Sequence, residues 1–491
     1  MQLARIAAAL EREGLLVARR GALPDSVASI AGDSRAVTPG ALFVAVRGSQ
    51  RDGHAFLSTA AAAGATAAIV EDAAATTLPV LLVRDGRRAA AVAAAAFHAN
   101  PARALTLVGV TGTNGKTTTV GMLRHLLDEQ GARSASIGTL GVLVGSEGTP
   151  LPGGSGLTTP GPIELQAVLR ALVDAGVRTV AMEVSSHALD QRRVDGVEFA
   201  AAVFTNLTRD HLDYHGTMEA YAAAKARLVD CLAASGAAVV NADDDAWQAL
   251  PPAGRRLTFG ITHPADVRAT GLRFAAGGST FTIANAGDRA DVTLPLIGDF
   301  NVANALAAAA AALALGASLP VIAARLATMP QVPGRLEVLH RAPTVLRDYA
   351  HTPDALARAI AAVRPFARRR LVVVFGAGGD RDRGKRPEMG RIAAEGADLA
   401  IVTSDNPRTE DPERILDDIE AGMRGRTHRR IEDRRAAIAA ALAGAAPDDL
   451  ILLAGKGHET YQVRGTVSHP FDEKLVVAEL TAGGATPPVR N

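Results

Sequence analysis

The chain has 491 residues, 48% hydrophobic content and a formal net charge of +1. That length predicts two to four domains, each able to bury its own core, and the near-zero charge argues against a general nucleic-acid or anionic-membrane partner. No apolar run approaches the ~20 residues of a membrane span, the single cysteine, Cys231, excludes an intrachain disulfide and fits a reducing cytoplasm, and the mixed charge of the first twenty residues is not a secretory signal.

Residues 1–102 read as a small α/β domain. Asp33-Ser34-Arg35 precedes a turn and the strand Gly40 to Val46, and Ser49-Gln50-Arg51 sits in the polar, glycine-flanked loop after it. By themselves these are ordinary turn residues. A second unit, 103–335, opens on an apolar β-branched run from Leu105 to Val110 and the stretch Gly109-Val110-Thr111-Gly112-Thr113-Asn114-Gly115-Lys116-Thr117-Thr118-Thr119. A helical pattern is expected from Val120. Strand, glycine-rich turn and helix together predict a phosphate-binding loop. Its backbone N–H groups would close on phosphate oxygens, Lys116 would hold the outer phosphates, and the Thr117 hydroxyl would coordinate Mg²⁺. A strict Walker pattern wants glycine where this chain has Val110.

Two further strands deliver residues to the same crevice. Thr179 to Met182 ends in Glu183-Val184-Ser185-Ser186-His187, and Ala201 to Phe204 ends in Thr205-Asn206-Leu207-Thr208-Arg209-Asp210-His211. In an open parallel sheet, ligands bind beyond the carboxyl ends of strands, so Thr117, Glu183 and His211 form a candidate metal site. Ala237 to Asn241 is expected to close this sheet, followed by a β-rich insertion over 257–292. Asn301 and Asn304 then share one helix face and could meet an adenine or ribose.

Pro333-Gly334-Arg335 marks a domain boundary, and 336–491 reads as a second doubly wound domain. Four strands finish there in polar loops that carry Asp348, Arg381, Asp405-Asn406-Pro407-Arg408 and Gly455-Lys456-Gly457-His458-Glu459. The mixed charge of these loops suits a small zwitterionic ligand. Only five of the 52 basic residues are lysines, namely Lys116, Lys225, Lys385, Lys456 and Lys474. Where arginine serves every generic need, a retained lysine points to a compact ammonium or to an amine that can lose its proton.

Together GTNGKTT at 112–118, EVSSH at 183–187, TNLTRDHLDYHG at 205–216, Lys225, GDFNVANA at 298–305, PGR at 333–335 and DYAHTPD at 348–354 resemble the Mur ligases. These are ATP-dependent amide-forming enzymes of peptidoglycan precursor assembly. GDSR at 32–35, LTTPG at 157–161, GGDRDRGKRPEM at 378–389, DNPR at 405–408 and GKGHE at 455–459 resemble the members that add the third peptide residue. The resemblance implies an α/β chain of three domains: a small N-terminal α/β domain, a central P-loop-type doubly wound sheet and a C-terminal Rossmann-like domain. Their ligands would be UDP-N-acetylmuramoyl-L-Ala-D-Glu, ATP and meso-diaminopimelate, in a cytoplasmic monomer.

By motif match, Ser34, Ser49, Gln50, Arg51, Thr158, Thr159, Ser185, Gln191 and Arg193 would hold the UDP-muramoyl dipeptide. Gly112, Thr113, Asn114, Gly115, Lys116, Thr117, Thr118, Asn206, Asn301, Asn304, Arg335 and Asp348 would bind ATP. Arg381, Asp405, Asn406, Pro407, Arg408, Gly455 and Glu459 would read the amino acid, with Arg408 pairing to its distal carboxylate. Two Mg²⁺ ions are implied, on Thr117, Glu183, His211 and a CO₂-derived carbamate of Lys225. Leu157 departs from the polar residue expected before Thr158. The alternatives are a lysine-adding ligase of the same family, a folylpolyglutamate synthetase-like ligase and a phosphate-loop switch protein. The last would lack a use for Lys225 and the third-domain loops.

Overall fold

A computed structural model describes residues 1–48, 51–73, 76–129, 131–154, 156–275 and 277–482. Three large sheets follow one another along them. The first has five strands, in the order Leu16–Arg20, Val80–Val83, Ala65–Val70, Ala41–Val44, Ser29–Ala31. All pairs are parallel except that of Leu16–Arg20 with Val80–Val83. The strand Ala41–Val44 is buried along its whole length. Leu42 and Val44 pack under the helices Leu3–Arg12 and Gly86–Phe97, while Phe43 meets Leu57 and Ala60 on the other face. This is the period of two working on a two-sided sheet.

The central sheet has eleven strands. Seven run parallel in the order Val267–Ala275, Arg255–Gly260, Leu232–Asn241, Phe199–Phe204, Thr106–Thr111, Val177–Glu183, Arg133–Gly138. The phosphate-loop strand Thr106–Thr111 lies inside this parallel group, with Val108 and Val110 on one core and Leu107 on the other. Leu232–Asn241 does not close the sheet. Arg255–Gly260 pairs beside it, and Val267–Ala275, Gly278–Asn285 and Asp288–Leu294 extend the same sheet. The reason is burial: Ala269, Phe281, Ile283 and Val292 share one core with the wholly buried alanine stretch of the helix Asp299–Ala314. What reads as an insertion is a wing of the main sheet.

The helix after the phosphate loop starts at Lys116, four residues before the expected Val120. Thr117, Thr118 and Thr119 are all buried, and tertiary packing overrides the modest helix propensity of β-branched residues.

The third sheet orders Glu337–Arg341, Thr344–Asp348, Leu450–Ala454, Leu371–Phe375, Leu399–Val402, His428–Arg430, with only the first antiparallel. Its parallel strands therefore end on one edge, where Asp348, Gly376, Thr403 and Gly455 begin the loops. A hairpin of Tyr461–Arg464 and Val467–Pro470 stands apart from this sheet and reaches back to Arg408. Among the described residues, no helix is long and apolar enough to cross a membrane.

Candidate active site

The loop between Thr111 and Lys116 is held from its side. Thr113 N–H donates to the Asn206 carbonyl at 2.7 Å, and Asn114 N–H to Asn206 Oδ1 at 2.9 Å. Thr205 Oγ1 donates to the Asn114 carbonyl at 2.7 Å. Gly112 takes φ +145°, and a Cβ there would fall 1.9 Å from Thr205 Oγ1. Gly115, at φ +86°, precedes the helix, and a Cβ on it would meet Asn304 Oδ1 at 2.3 Å. Both positions exclude any side chain.

Two lysines converge on this loop. Lys116 Nζ donates to the carbonyls of Gly112 at 2.9 Å and Thr113 at 2.8 Å. Lys225, 1% exposed, donates to the same Gly112 carbonyl at 2.8 Å and lies over the Tyr221 ring. Burial lowers the pKa of both. For Lys225 the shift is large, and the Lys116 charge adds to it. Lys225 sits behind the loop and does not line the cleft in front of it.

That cleft has a volume of 430 Å³ and is walled by both doubly wound domains, a size within the ordinary range for ligand sites. Lys116, Thr117, Glu183, His211, Asn206, Asn304, Arg335 and Asp348 all line it. Glu183 is 1% exposed, and its Oε1 accepts the Thr139 N–H at 2.9 Å. His211 takes φ +53° and caps the short helix Leu212–His215. Its pKa falls to about 4, chiefly through desolvation in the cleft, with the Lys116 and Lys225 charges adding to the effect against Asp210. Arg335 Nη2, on the segment that joins the two domains, donates to Thr117 Oγ1 at 2.9 Å, and Asn114 Nδ2 donates across the boundary to Asp354 Oδ2 at 3.1 Å.

Among the described residues, no group of three or more His, Cys, Asp or Glu side chains is arranged to hold a metal by itself. The Glu183 carboxylate, the Thr117 hydroxyl and the His211 imidazole face the cleft beside the phosphate loop, with the Asp210 carboxylate next to His211. This donor set fits a Mg²⁺ that takes most of its oxygens from phosphates and water.

Asn301 has a different position from the expected one. It is 1% exposed, donates to the Ile297 carbonyl at 2.8 Å and is absent from the cleft wall, so it supports Asn304 from below. Asp348 lines the cleft, yet its two oxygens already accept the N–H groups of Leu336 at 2.8 Å and Ala350 at 2.9 Å. Thr158 faces the cleft. Thr159 is fully buried, and its hydroxyl bridges the Glu183 carbonyl at 2.9 Å and the Ser185 N–H at 3.0 Å. Arg193 donates to the Thr159 carbonyl at 2.9 Å and to Gln191 Oε1 at 2.8 Å. Thr158, Thr159, Ser185, Gln191 and Arg193 are thus gathered beside Glu183. Ser34 stands on the first domain in the turn Ser34–Ala36, and Arg51 is exposed there. Ser49 and Gln50 lie outside the described residues.

In the third domain Asn406 Nδ2 donates to Glu459 Oε2 at 2.8 Å, and Lys456 Nζ reaches Asn406 Oδ1 at 3.1 Å and Glu459 Oε2 at 3.0 Å. Lys456 is completely buried. Gly455 lies against Asp405, since a Cβ on it would be 2.4 Å from Asp405 Oδ2. Arg408, at φ +51°, donates to the Gly379 carbonyl at 2.8 Å. Its backbone N–H donates to Val463 of the hairpin at 3.0 Å. Arg381 is exposed on the neighbouring loop and donates to the Asp380 carbonyl at 3.0 Å. Sequence reading assigned no role to Thr139, Tyr349 or Asp354, and it marked Lys456 only as a lysine retained in an arginine-rich chain.

The loop, the two facing doubly wound sheets and the cleft define a three-domain nucleotide-site architecture. Family models agree: residues 26–108 match the Mur ligase family catalytic domain, 110–312 the Mur ligase middle domain and 334–457 the Mur ligase glutamate ligase domain. Two curated relatives are named UDP-N-acetylmuramoyl-L-alanyl-D-glutamate--2,6-diaminopimelate ligase. That of Geobacillus kaustophilus is 46% identical over 93% of this chain and 95% of its own length. That of Synechococcus elongatus is 46% identical over 94% and 95%. A solved structure of a ligase of the same name is 36% identical, with TM-score 0.66 over 94% of this chain and 96% of its own. The chain belongs to the Mur ligase family.

Proposed function

We propose that the chain is an ATP-dependent ligase that joins meso-2,6-diaminopimelate to the D-glutamate γ-carboxylate of UDP-N-acetylmuramoyl-L-Ala-D-Glu, a cytoplasmic step in peptidoglycan precursor synthesis. The observation that carries the reading is a phosphate-loop cleft closed by the third domain. Lys116 and Arg335 face Asp348, Tyr349 and His351 across it, and a neighbouring loop cluster of the same domain joins Asn406, Lys456 and Glu459. The names of the relatives support the choice of substrates. The units 1–102, 103–335 and 336–491 would take the UDP-muramoyl end, ATP and the amino acid respectively.

The γ-carboxylate oxygen attacks the terminal phosphorus of ATP, the bond to the bridging oxygen of ADP breaks, and an acyl phosphate forms. Two anions approach each other in this step, so positive charge must gather between them. Lys116 and Arg335 supply it from the protein. When bound, Mg²⁺ would add charge and orient the phosphates, held by Thr117, Glu183 and His211 in the cleft; a carbamate on Lys225 would join them only by leaving the Gly112 carbonyl behind the loop. The buried, charge-crowded Lys225 favours the neutral amine, which is the form that adds CO₂. An arginine could not make that adduct.

The neutral amine of diaminopimelate then attacks the acyl carbon, and phosphate leaves. Arg408 would pair with the distal carboxylate, which lysine lacks. His351 lines the cleft, and burial lowers its pKa, so its unprotonated ring is available for the proton the amine releases.

One assay tests this reading. Purified chain, ATP, Mg²⁺ and the UDP-muramoyl dipeptide are combined with either meso-diaminopimelate or L-lysine, and phosphate release is followed. Release with diaminopimelate and not with lysine is expected. Release with lysine alone overturns the specificity, and release with neither overturns the function.

A further inference from the structure

The phosphate cleft and the amino-acid loops belong to different domains, and one side chain touches the structures of both. Arg335 lies in the segment that joins the domains. Its guanidinium donates to Thr117 Oγ1 at 2.9 Å and stacks 4.8 Å above the Tyr349 ring, while its buried Nε has no hydrogen-bond partner. Tyr349 N–H donates to the Gly334 carbonyl at 2.9 Å, so the ring is tied to the same linker turn.

On its far side Tyr349 meets the loop that carries Gly455 and Glu459. A Cβ on Gly457 would fall 2.7 Å from Tyr349 Cβ, and a Cβ on Gly334, at φ +68°, would fall 2.2 Å from His458 N. No slack exists at these two backbone contacts. The Tyr349 and His458 rings lie 5.4 Å apart. The carboxylates of Glu459 and Asp405 act on the Tyr349 hydroxyl, which burial already holds protonated. The contacts therefore run without a gap from Thr117 through Arg335 and Tyr349 to Gly457, His458 and Glu459.

We infer that Tyr349 is a positioning residue that couples occupancy of the phosphate cleft to placement of the Gly455–Glu459 loop. Nucleotide bound at Thr117 competes for the Arg335 guanidinium. The guanidinium then moves over the ring face, and the tightly packed ring passes the displacement to the loop. Bound nucleotide raises amino-acid affinity, and by linkage the amino acid raises nucleotide affinity by the same factor. The inference rests on the proposed function, because it takes diaminopimelate as the ligand of that loop.

The test is calorimetric titration of meso-diaminopimelate into the full chain saturated with UDP-muramoyl dipeptide, with and without a non-hydrolysable ATP analogue and Mg²⁺. In the wild type the analogue should tighten binding by about 10-fold or more, within the usual range of coupling. Tyr349→Phe keeps the π-face and should keep the coupling. Tyr349→Ala and Tyr349→Leu should reduce it to less than about 2-fold, measured at analogue concentrations that saturate each variant. Leucine retains apolar bulk, so it serves if the alanine variant does not fold. A purely structural role would weaken diaminopimelate equally with and without the analogue, and that result overturns the inference. So does wild-type coupling in the leucine variant, or an absence of coupling in the wild type. A wild type that binds no diaminopimelate in either condition overturns the functional reading itself.

Discussion

The phosphate loop forms one wall of the cleft, the Asp405–Arg408 loop belongs to the domain that forms the other, and the two loops are built by opposite means. The first is a backbone device. Its glycines clear space, its carbonyls receive two lysines, and residues 205 and 206 brace it. The second is a side-chain device. Asn406, Lys456 and Glu459 satisfy one another, Arg408 leans on Gly379, and the hairpin at 461–470 holds the loop by its backbone. A phosphate is the same for every nucleotide enzyme, so a contiguous backbone cradle serves it. Choosing one amine among many requires charges at set separations, and no single stretch of chain can supply them.

This contrast predicts that damage to the first wall slows chemistry for any amine, whereas damage to the second changes only the choice and capture of the amine. The largest effect is expected for Lys225→Arg, which keeps a positive charge and cannot form the proposed carbamate. Its kcat should fall about 10³-fold, the scale of losing a main electrostatic contact to the reacting group. Its diaminopimelate KM should move by less than about 3-fold; a KM effect as large as the kcat effect would break the contrast. Arg408→Ala comes next. Loss of a charge-assisted pair worth ~2–3 kcal/mol should raise the diaminopimelate KM by about 100-fold and the ATP KM by less than about 2-fold. Steady-state kinetics against each substrate reads both values.

Lys456→Met should raise the same KM by about 10-fold and lower stability by ~2–3 kcal/mol in urea unfolding, because it leaves Glu459 without its cation. The smallest effect concerns the brace beneath the second wall. Arg386 hydrogen bonds hold the Glu410 carboxylate at about 2, down from 4.5, and Glu410 accepts the Asp380 N–H at 2.6 Å. A lowered native pKa gives stability that is full above the unfolded value and lost on acidification through the native one. Glu410→Gln should therefore lower Tm above pH 4.5, and the gap from wild type should close as pH falls toward 2. A gap that stays constant across that interval would count against the ion pair.

Local chemistry made much of this molecule legible in its sequence. The phosphate loop, the strand-end positions of Glu183 and His211 and the polar loops of the third domain all follow from patterns within a few residues of one another. Where reading failed, the cause was long-range packing. Nothing near Leu257 says that its strands extend the central sheet; that follows from a shared core with the helix Asp299–Ala314. Asn301 and Asn304 share a helix face in sequence, but the bend of the chain over Ile297 buries one and shows the other to the cleft.

By itself the sequence determined which chemistry is available: glycines where backbone must approach phosphate, four lysines retained inside motifs of an arginine-rich chain, and the Asp-Asn-Pro-Arg stretch with its guanidinium. These are properties of residue type and short spacing, and they need no fold to be read. Only the tertiary structure decided who meets whom. It set Lys225 behind the loop against Gly112, Arg335 between Thr117 and Tyr349, and Lys456 beneath Asn406 and Glu459. Such partnerships join residues up to 218 positions apart. They arise from the burial of apolar cores on both faces of three sheets and the closing of two sheet edges on one cleft, and a pattern within a single stretch of chain carries no record of that distance.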